Sequence, residues 1–197
     1  MNTAGFTIRK GTLPILISAP HAYAHKRPNL SGSYKIGELW TDYLCEQICL
    51  STNAWGICTN DLIDYDPNYH PFERNPYKQA IQDIMSKNKI AYFLDLHGLS
   101  DKHDYDLGYY YAPRYSKSRK LAEDIACDLD KDSLKGLNIK FLNFLDNEQE
   151  TLGEFVISNY KIPSVQMEIA KYIRINSGLR DAFVNNIQKV LISLPIQ

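Results

Sequence analysis

Two histidines stand just past strongly apolar runs. Pro20-His21 follows PILISA, and Asp95-Leu96-His97-Gly98 follows IAYFL. A side chain just past a buried strand is held on a rigid element, so two such imidazoles on different strands can converge on one ion. Neutral imidazole is the usual nitrogen ligand of zinc, and catalytic zinc sites take three protein ligands plus water. Asp95 precedes His97 by two residues, on the same strand face, where its carboxylate can orient the ring from behind. Three residues compete for the third ligand position by type and spacing: Glu38, Asp42 and His25. Glu168 lies late in the run SVQMEIA and shares a face with Gln166 and Ser164. A carboxylate there needs a partner. That partner is either a metal-bound water, with Glu168 as general base, or a salt bridge to Arg174 or Lys171. Arg74 and Arg174 are candidates for stabilising an oxyanion or gripping a carboxylate, with Arg27 and Lys35 as further anion contacts. Tyr69, Tyr109, Tyr110 and Tyr111 either line a pocket or, for the LGYYYA stretch, pack within a strand.

The elements that must hold these residues alternate along the chain, which predicts an α/β fold. Strands are expected at Phe6–Ile8, Leu13–Ala19, Gly56–Asn60, Ile90–Leu96, Leu107–Tyr111, Asn138–Leu142 and Ser164–Ile169. Continuous apolar runs such as PILISA and IAYFLDL suit central strands covered on both faces. Helices are expected over Ile36–Leu50, from Asn75-Pro76 to Lys87, from Ser116 through Leu129, and over Gly178–Leu194. Thr151 and Glu154 form a capping box for a short helix to Asn159. Polar loops follow the strands, and in open α/β sheets ligands gather at the carboxyl ends of strands.

Composition bounds the classes. The chain has 197 residues, 44% hydrophobic and 23% charged, with net charge −1. One domain over residues 1–197 is expected, with a core that needs no disulfides. The near-cancelling charge argues against a nucleic-acid partner, and no apolar run reaches the ~20 residues that span a bilayer. With no signal-like apolar stretch near Met1, a cytoplasmic protein is expected. The cysteines Cys45, Cys49, Cys58 and Cys127 read as small buried hydrophobes of a reduced cell. There is no G-x-S-x-G and no phosphate-binding P-loop.

Five segments, PHAYAHKRP, KIGELWTD, DPNYHPFERNPYK, DLHG and VQMEIAKYIR, occur in the order found in the N-formylglutamate amidohydrolase-like family, which is related to zinc carboxypeptidases and aspartoacylase-type deacylases. The resemblance spans Pro14 to Arg174. It implies a three-layer α/β fold of the phosphorylase/hydrolase type: a mixed, mostly parallel sheet with helices on both faces, and one zinc-type ion. In this resemblance His21 and His97 match the histidine ligands, Glu38 the acidic ligand, and Glu168 the glutamate that activates water. Asn68, with Tyr69 beside it, and Arg74 fall in a stretch similar to the family's substrate-anchoring Asn/Arg segment. The compact D-x-N-R form is replaced here by Asp66-Pro67-Asn68-Tyr69, with Arg74 farther on.

The expected activity is hydrolysis of an amide in an N-acyl amino acid through metal-activated water, with a small-molecule substrate and zinc, manganese or iron as the ion. The competing readings are a zinc peptidase for cell-wall or polyglutamate-type amides, and a non-catalytic binding domain of the same fold.

Overall fold

The structure, a computed structural model, describes residues 2–3, 5–28, 33–112, 115–143 and 150–196. Its sheet strands are β1 (Asn2–Thr3), β2 (Phe6–Arg9), β3 (Leu13–Ala19), β6 (Ala54–Thr59), β7 (Tyr92–Leu99), β8 (Leu107–Tyr111), β9 (Ile139–Asn143) and β10 (Ser164–Ala170). A small separate ribbon pairs β4 (His25–Lys26) with β5 (Tyr34–Lys35). The helices are α1 (Thr41–Thr52), α2 (Pro76–Lys87), α3 (Ser116–Leu129), α4 (Leu152–Tyr160), α5 (Lys171–Ile175) and α6 (Ser177–Ser193). The spatial order is β1-β2-β6-β3-β7-β10-β8-β9. The central four strands run parallel, β2 and β8 are antiparallel to their inner neighbours, and β9 is parallel to β8. The mixed, mostly parallel sheet expected from the sequence is therefore present.

The pleat sorts each central strand into a core face and a second face. Ile15, Ile17, Leu94, Leu96, Val165, Met167 and Ile169 point to one side, into a core shared with α1, α3 and α6. On the other side Leu16 and Phe93 pack with Tyr77 and Ile81 of α2 and with Phe155 and Val156 of α4. Farther along, that second face turns polar: Ser18, Asp95 and Gln166 lie side by side, and His97 sits beside Glu168. Slipping one strand by a single residue would drive Asp95 and His97 into the apolar core. Since each buried Leu, Ile or Phe contributes about 1.5–3 kcal/mol, the register that aims these polar groups at the carboxyl end of the sheet is strongly determined.

Local signals set several helix ends. Asn75 accepts the Lys78 amide at 3.1 Å, and Pro76 opens α2. Thr151 and Glu154 exchange both bonds of the capping box. The expected helix over Ile36–Leu50 is corrected: α1 starts only at Thr41. Residues 36–40 instead form a strap that crosses the loop after β3. There the Glu38 amide donates to His21 O at 2.8 Å, and a Cβ on Gly37 would lie 2.5 Å from Ala22 O. Ile36, Leu39 and Trp40 imitate a helical face in sequence but are exposed. The buried-cysteine expectation holds for Cys45 and Cys49, while Cys58 is half-buried and Cys127 is exposed. Among the described residues no helix is long and apolar enough to cross a membrane.

Candidate metal centre and cleft

His21 leaves the end of β3, His97 stands late in β7, and the strap brings Glu38 between them. The two rings face each other through Nδ1 atoms 3.2 Å apart. Glu38 Oε1 is 3.5 Å from His21 Nδ1, and Oε2 is 3.4 Å from His97 Nδ1. Behind the rings, His21 Nε2 donates to Asp66 Oδ1 at 2.9 Å, and His97 Nε2 donates to Asp95 Oδ2 at 3.0 Å. These carboxylates fix the tautomer: with the proton on Nε2, a neutral ring offers a lone pair at Nδ1. Two lone pairs and a carboxylate therefore converge on one point, an arrangement that repels itself unless a cation or proton is shared there. Donors of a tetrahedral ion at about 2.0–2.2 Å stand roughly 3.3–3.6 Å apart; the two Nδ1 atoms, 3.2 Å apart, come close to this, while one Glu38 oxygen lies 3.5 Å from His21 Nδ1 and the other 3.4 Å from His97 Nδ1. The donor set of two nitrogens and a carboxylate, each imidazole backed by an aspartate, suits a divalent ion such as zinc, manganese or iron.

The electrostatics agree with the geometry. Burial disfavours protonated His21, but Asp66 and Glu38 outweigh it and raise its pKa. The same opposition, with Asp95 and Glu38 prevailing, holds His97 well above the usual imidazole value. Burial alone would raise Glu38, yet His97 and His21 keep it well below the carboxylate range. Asp66 is likewise held low against its burial, by His21, His25 and Arg27. Among the described residues, Asp66 pairs with Arg27 and Glu38 with Lys35. Asp95 Oδ1 is buried with no hydrogen-bond partner among the described residues.

The site opens into a cleft of about 310 Å³. Glu168 lines it, its Oε1 accepting from Gln166 Nε2 at 2.8 Å. Neither expected salt-bridge partner reaches it: Lys171 pairs with Asp101, and Arg174 is bound to backbone carbonyls. Asn68 also lines the cleft, its Oδ1 taking the Leu152 amide at 3.0 Å. Tyr69 lies beneath the Arg27 guanidinium, 4.5 Å from ring centroid to Cζ, while Arg27 Nε donates to Asp66 Oδ2 at 3.0 Å. Of the tyrosine run, Tyr110 reaches the cleft, and Tyr109 and Tyr111 are buried.

No family model matches the chain, and no curated protein matches it in sequence. Solved structures do match. N-formylglutamate amidohydrolase from Ralstonia eutropha superposes with a TM-score of 0.65 at 13% identity, over 96% of this chain and 98% of that one. Succinylglutamate desuccinalase from Vibrio parahaemolyticus gives 0.61 at 15% identity, over 98% of this chain and 63% of that one. A metallo-carboxypeptidase from Burkholderia cenocepacia gives 0.60 at 11% identity, over 90% of this chain and 55% of that one. The chain has a carboxypeptidase-like fold. At these identities the likeness concerns architecture, and it agrees with the fold that the five sequence segments imply.

Within this carboxypeptidase-like frame the sequence candidates separate. His21, Glu38, His97, Glu168, Asn68 and Tyr69 share the cleft. Arg74 does not: it is exposed in the short turn Phe72–Arg74 and lines a different cavity beside Asp61 and Glu73. Arg174 is 4% exposed and absent from the cleft wall, so neither arginine stands where it would touch a substrate there. Asp42, a rival third ligand, faces a separate cavity with Arg9 and Cys58. His25 is stacked on the far side of His21, 4.0 Å between centroids. Burial and the neighbouring His21 push its pKa down to about 4, so it is neutral at pH 7.

Asp66 escaped the sequence reading. Its Oδ1 takes the Asn68 amide at 2.9 Å, and nothing local in the sequence records its pairing with a histidine 45 residues away. Asp66→Asn and Asp95→Asn should each weaken divalent-metal binding roughly 10–100-fold. A competition titration with a chromogenic chelator reads this directly, and wild-type affinity in both variants would show that the aspartates play no part.

Proposed function

We propose that the protein is a metal-dependent amidohydrolase that opens the amide of an N-acyl amino acid of the N-formylglutamate type, with zinc as its ion. The convergence of His21 Nδ1, His97 Nδ1 and the Glu38 carboxylate carries this reading. The names of two architecturally similar proteins specify an acylated glutamate, and a third is a metallo-carboxypeptidase. His21, Glu38 and His97 would hold the ion, which when bound lowers the pKa of water toward ~7 and polarises a carbonyl.

The chain's own groups do the rest. Gln166 occupies Oε1 of Glu168, which leaves Oε2 to take a proton from the attacking water and hand it to the departing amine. Arg27 is clamped by Asp66 and by the Tyr69 ring. Its terminal nitrogens are then pre-ordered for a substrate carboxylate, a bidentate contact suited to guanidinium. Asn68, with its oxygen engaged by Leu152, keeps Nδ2 to donate.

The test measures zinc content and turnover together on N-formyl-, N-acetyl- and N-succinylglutamate and on short γ-glutamyl peptides. Expected are about one zinc per chain, cleavage of at least one acylglutamate, loss of turnover on chelation and recovery on adding zinc. Zinc-loaded protein that cleaves none of them would overturn the reading.

A further inference from the structure

Arg174 stands behind Gly98, outside the cleft, with its guanidinium bonded to backbone. Nε donates to Ile169 O at 2.9 Å, Nη2 donates to Leu99 O at 3.3 Å, and Nη1 donates to Leu39 O. Ile169 follows Glu168, Leu39 follows Glu38, and Leu99 is two residues past His97. One planar fork thus grips the backbone beside three of the groups that meet in the cleft.

We propose that Arg174 is a positioning residue that sets the mutual placement of Glu38, His97 and Glu168 by cross-tying the strap, β7 and β10. This inference rests on reading those residues as a ligand-and-base site.

Of the three segments, the strap has the greatest need of such a tie. β7 and β10 are neighbours in the sheet, but the strap lies outside it. Besides Arg174, the hydrogen bonds joining the strap to the site among the described residues are Glu38 N to His21 O and Gly98 N to Glu38 Oε2 at 2.9 Å, while Lys35 Nζ of the adjacent β5 reaches Glu38 Oε1 at 3.3 Å. The guanidinium lies so close to β7 that a Cβ on Gly98 would come within 2.8 Å of its Cζ. A glycine between His97 and Leu99 is therefore a condition of the tie. Arg180 reinforces it: its Nη1 donates to Arg174 O at 2.9 Å, and its guanidinium rests on the rings of Trp40 and Tyr43, the start of α1. Lysine could not replace Arg174, because a single ammonium at the end of a flexible stem cannot span three carbonyls in one plane.

Amide hydrogen exchange by NMR, alongside zinc affinity, tests this on the full chain and on its Arg174→Lys and Arg174→Met variants. The expected result is exchange about tenfold faster or more at Glu38, Thr41, Gly98 and Ala170, with Leu94 and Val165 in the core unchanged. Zinc affinity should fall roughly 10–100-fold, and lysine should restore neither. Exchange that rises uniformly with a lowered melting temperature, or only within α5, would assign Arg174 a merely structural role and overturn the proposal. So would full rescue by lysine. If the arginine variants do not fold, Gly98→Ala displaces the guanidinium from the opposite side and must give the same exchange pattern in milder form. If the unmutated protein binds no zinc, the metal reading fails, and the exchange pattern alone decides for or against the cross-tie.

Discussion

Replacing Glu168 with Gln is expected to lower turnover by about 10²–10⁴-fold, the usual contribution of a positioned acid or base. Zinc content and melting temperature should stay at wild-type values. Glutamine preserves shape and can still bond Gln166, whose Nε2 is the one hydrogen-bond partner of the carboxylate among the described residues. A group in a buried ion pair would behave in the opposite way, costing stability when neutralised. Here Lys171 is engaged with Asp101, and Arg174 with three carbonyls, so no such pair exists to break. Melting curves, metal analysis and turnover measured on the same two proteins separate the outcomes. A Glu168→Gln protein that keeps most of its turnover would remove Glu168 from the chemistry.

The second large effect concerns His97→Ala. In structural sites with four protein ligands, zinc binding of about 10–16 kcal/mol amounts to roughly 2.5–4 kcal/mol per ligand, so losing His97 should cost ~10²–10³ in affinity. The variant should therefore emerge from purification with little zinc. It should also be less stable by about 1–3 kcal/mol, because Asp95 is fully buried, its Oδ1 already lacks a hydrogen-bond partner among the described residues, and the substitution strips Oδ2 of its donor as well. Denaturant unfolding of chelator-treated wild type and variant isolates this second effect from metal loss. Stoichiometric zinc in His97→Ala would mean that the ion, if any, lies elsewhere.

Much of this architecture was legible in the residues alone. The expected limits of β3 and β8 are the observed ones, and the apolar run PILISA marked β3 as a central strand packed on both faces. Asn75-Pro76 and the Thr151/Glu154 box marked helix starts, because end amides need local acceptors. The ligand candidates His21 and His97 were visible as histidines past buried strands. What failed was whatever depends on how distant segments cross. The strap looked helical because Ile36, Leu39 and Trp40 have helical spacing. Its real constraint is Gly37 passing against the Ala22 carbonyl, and nothing local records that. Arg174 and Arg74 were plausible anion grips by type, but tertiary placement gave one to backbone carbonyls and the other to a separate cavity. Asp66 carried no assigned role in its Asp66-Pro67-Asn68-Tyr69 stretch; its carboxylate holds the Asn68 amide and also serves His21.

The parallel ladder has a kinetic consequence. His21 and His97 are 76 positions apart in the chain, and parallel neighbours are joined by long crossovers rather than hairpins. Loop closure must precede every contact between them, which slows the docking of β3, β7 and β10. The convergence of their side chains cannot exist in a chain where those strands have yet to dock. If the three ligands meet only after the folding transition state, an ion held by His21, Glu38 and His97 has little to grip there. Its binding energy would appear in the unfolding rate alone: refolding would run at the same speed with or without it, and the finished protein would last longer before opening.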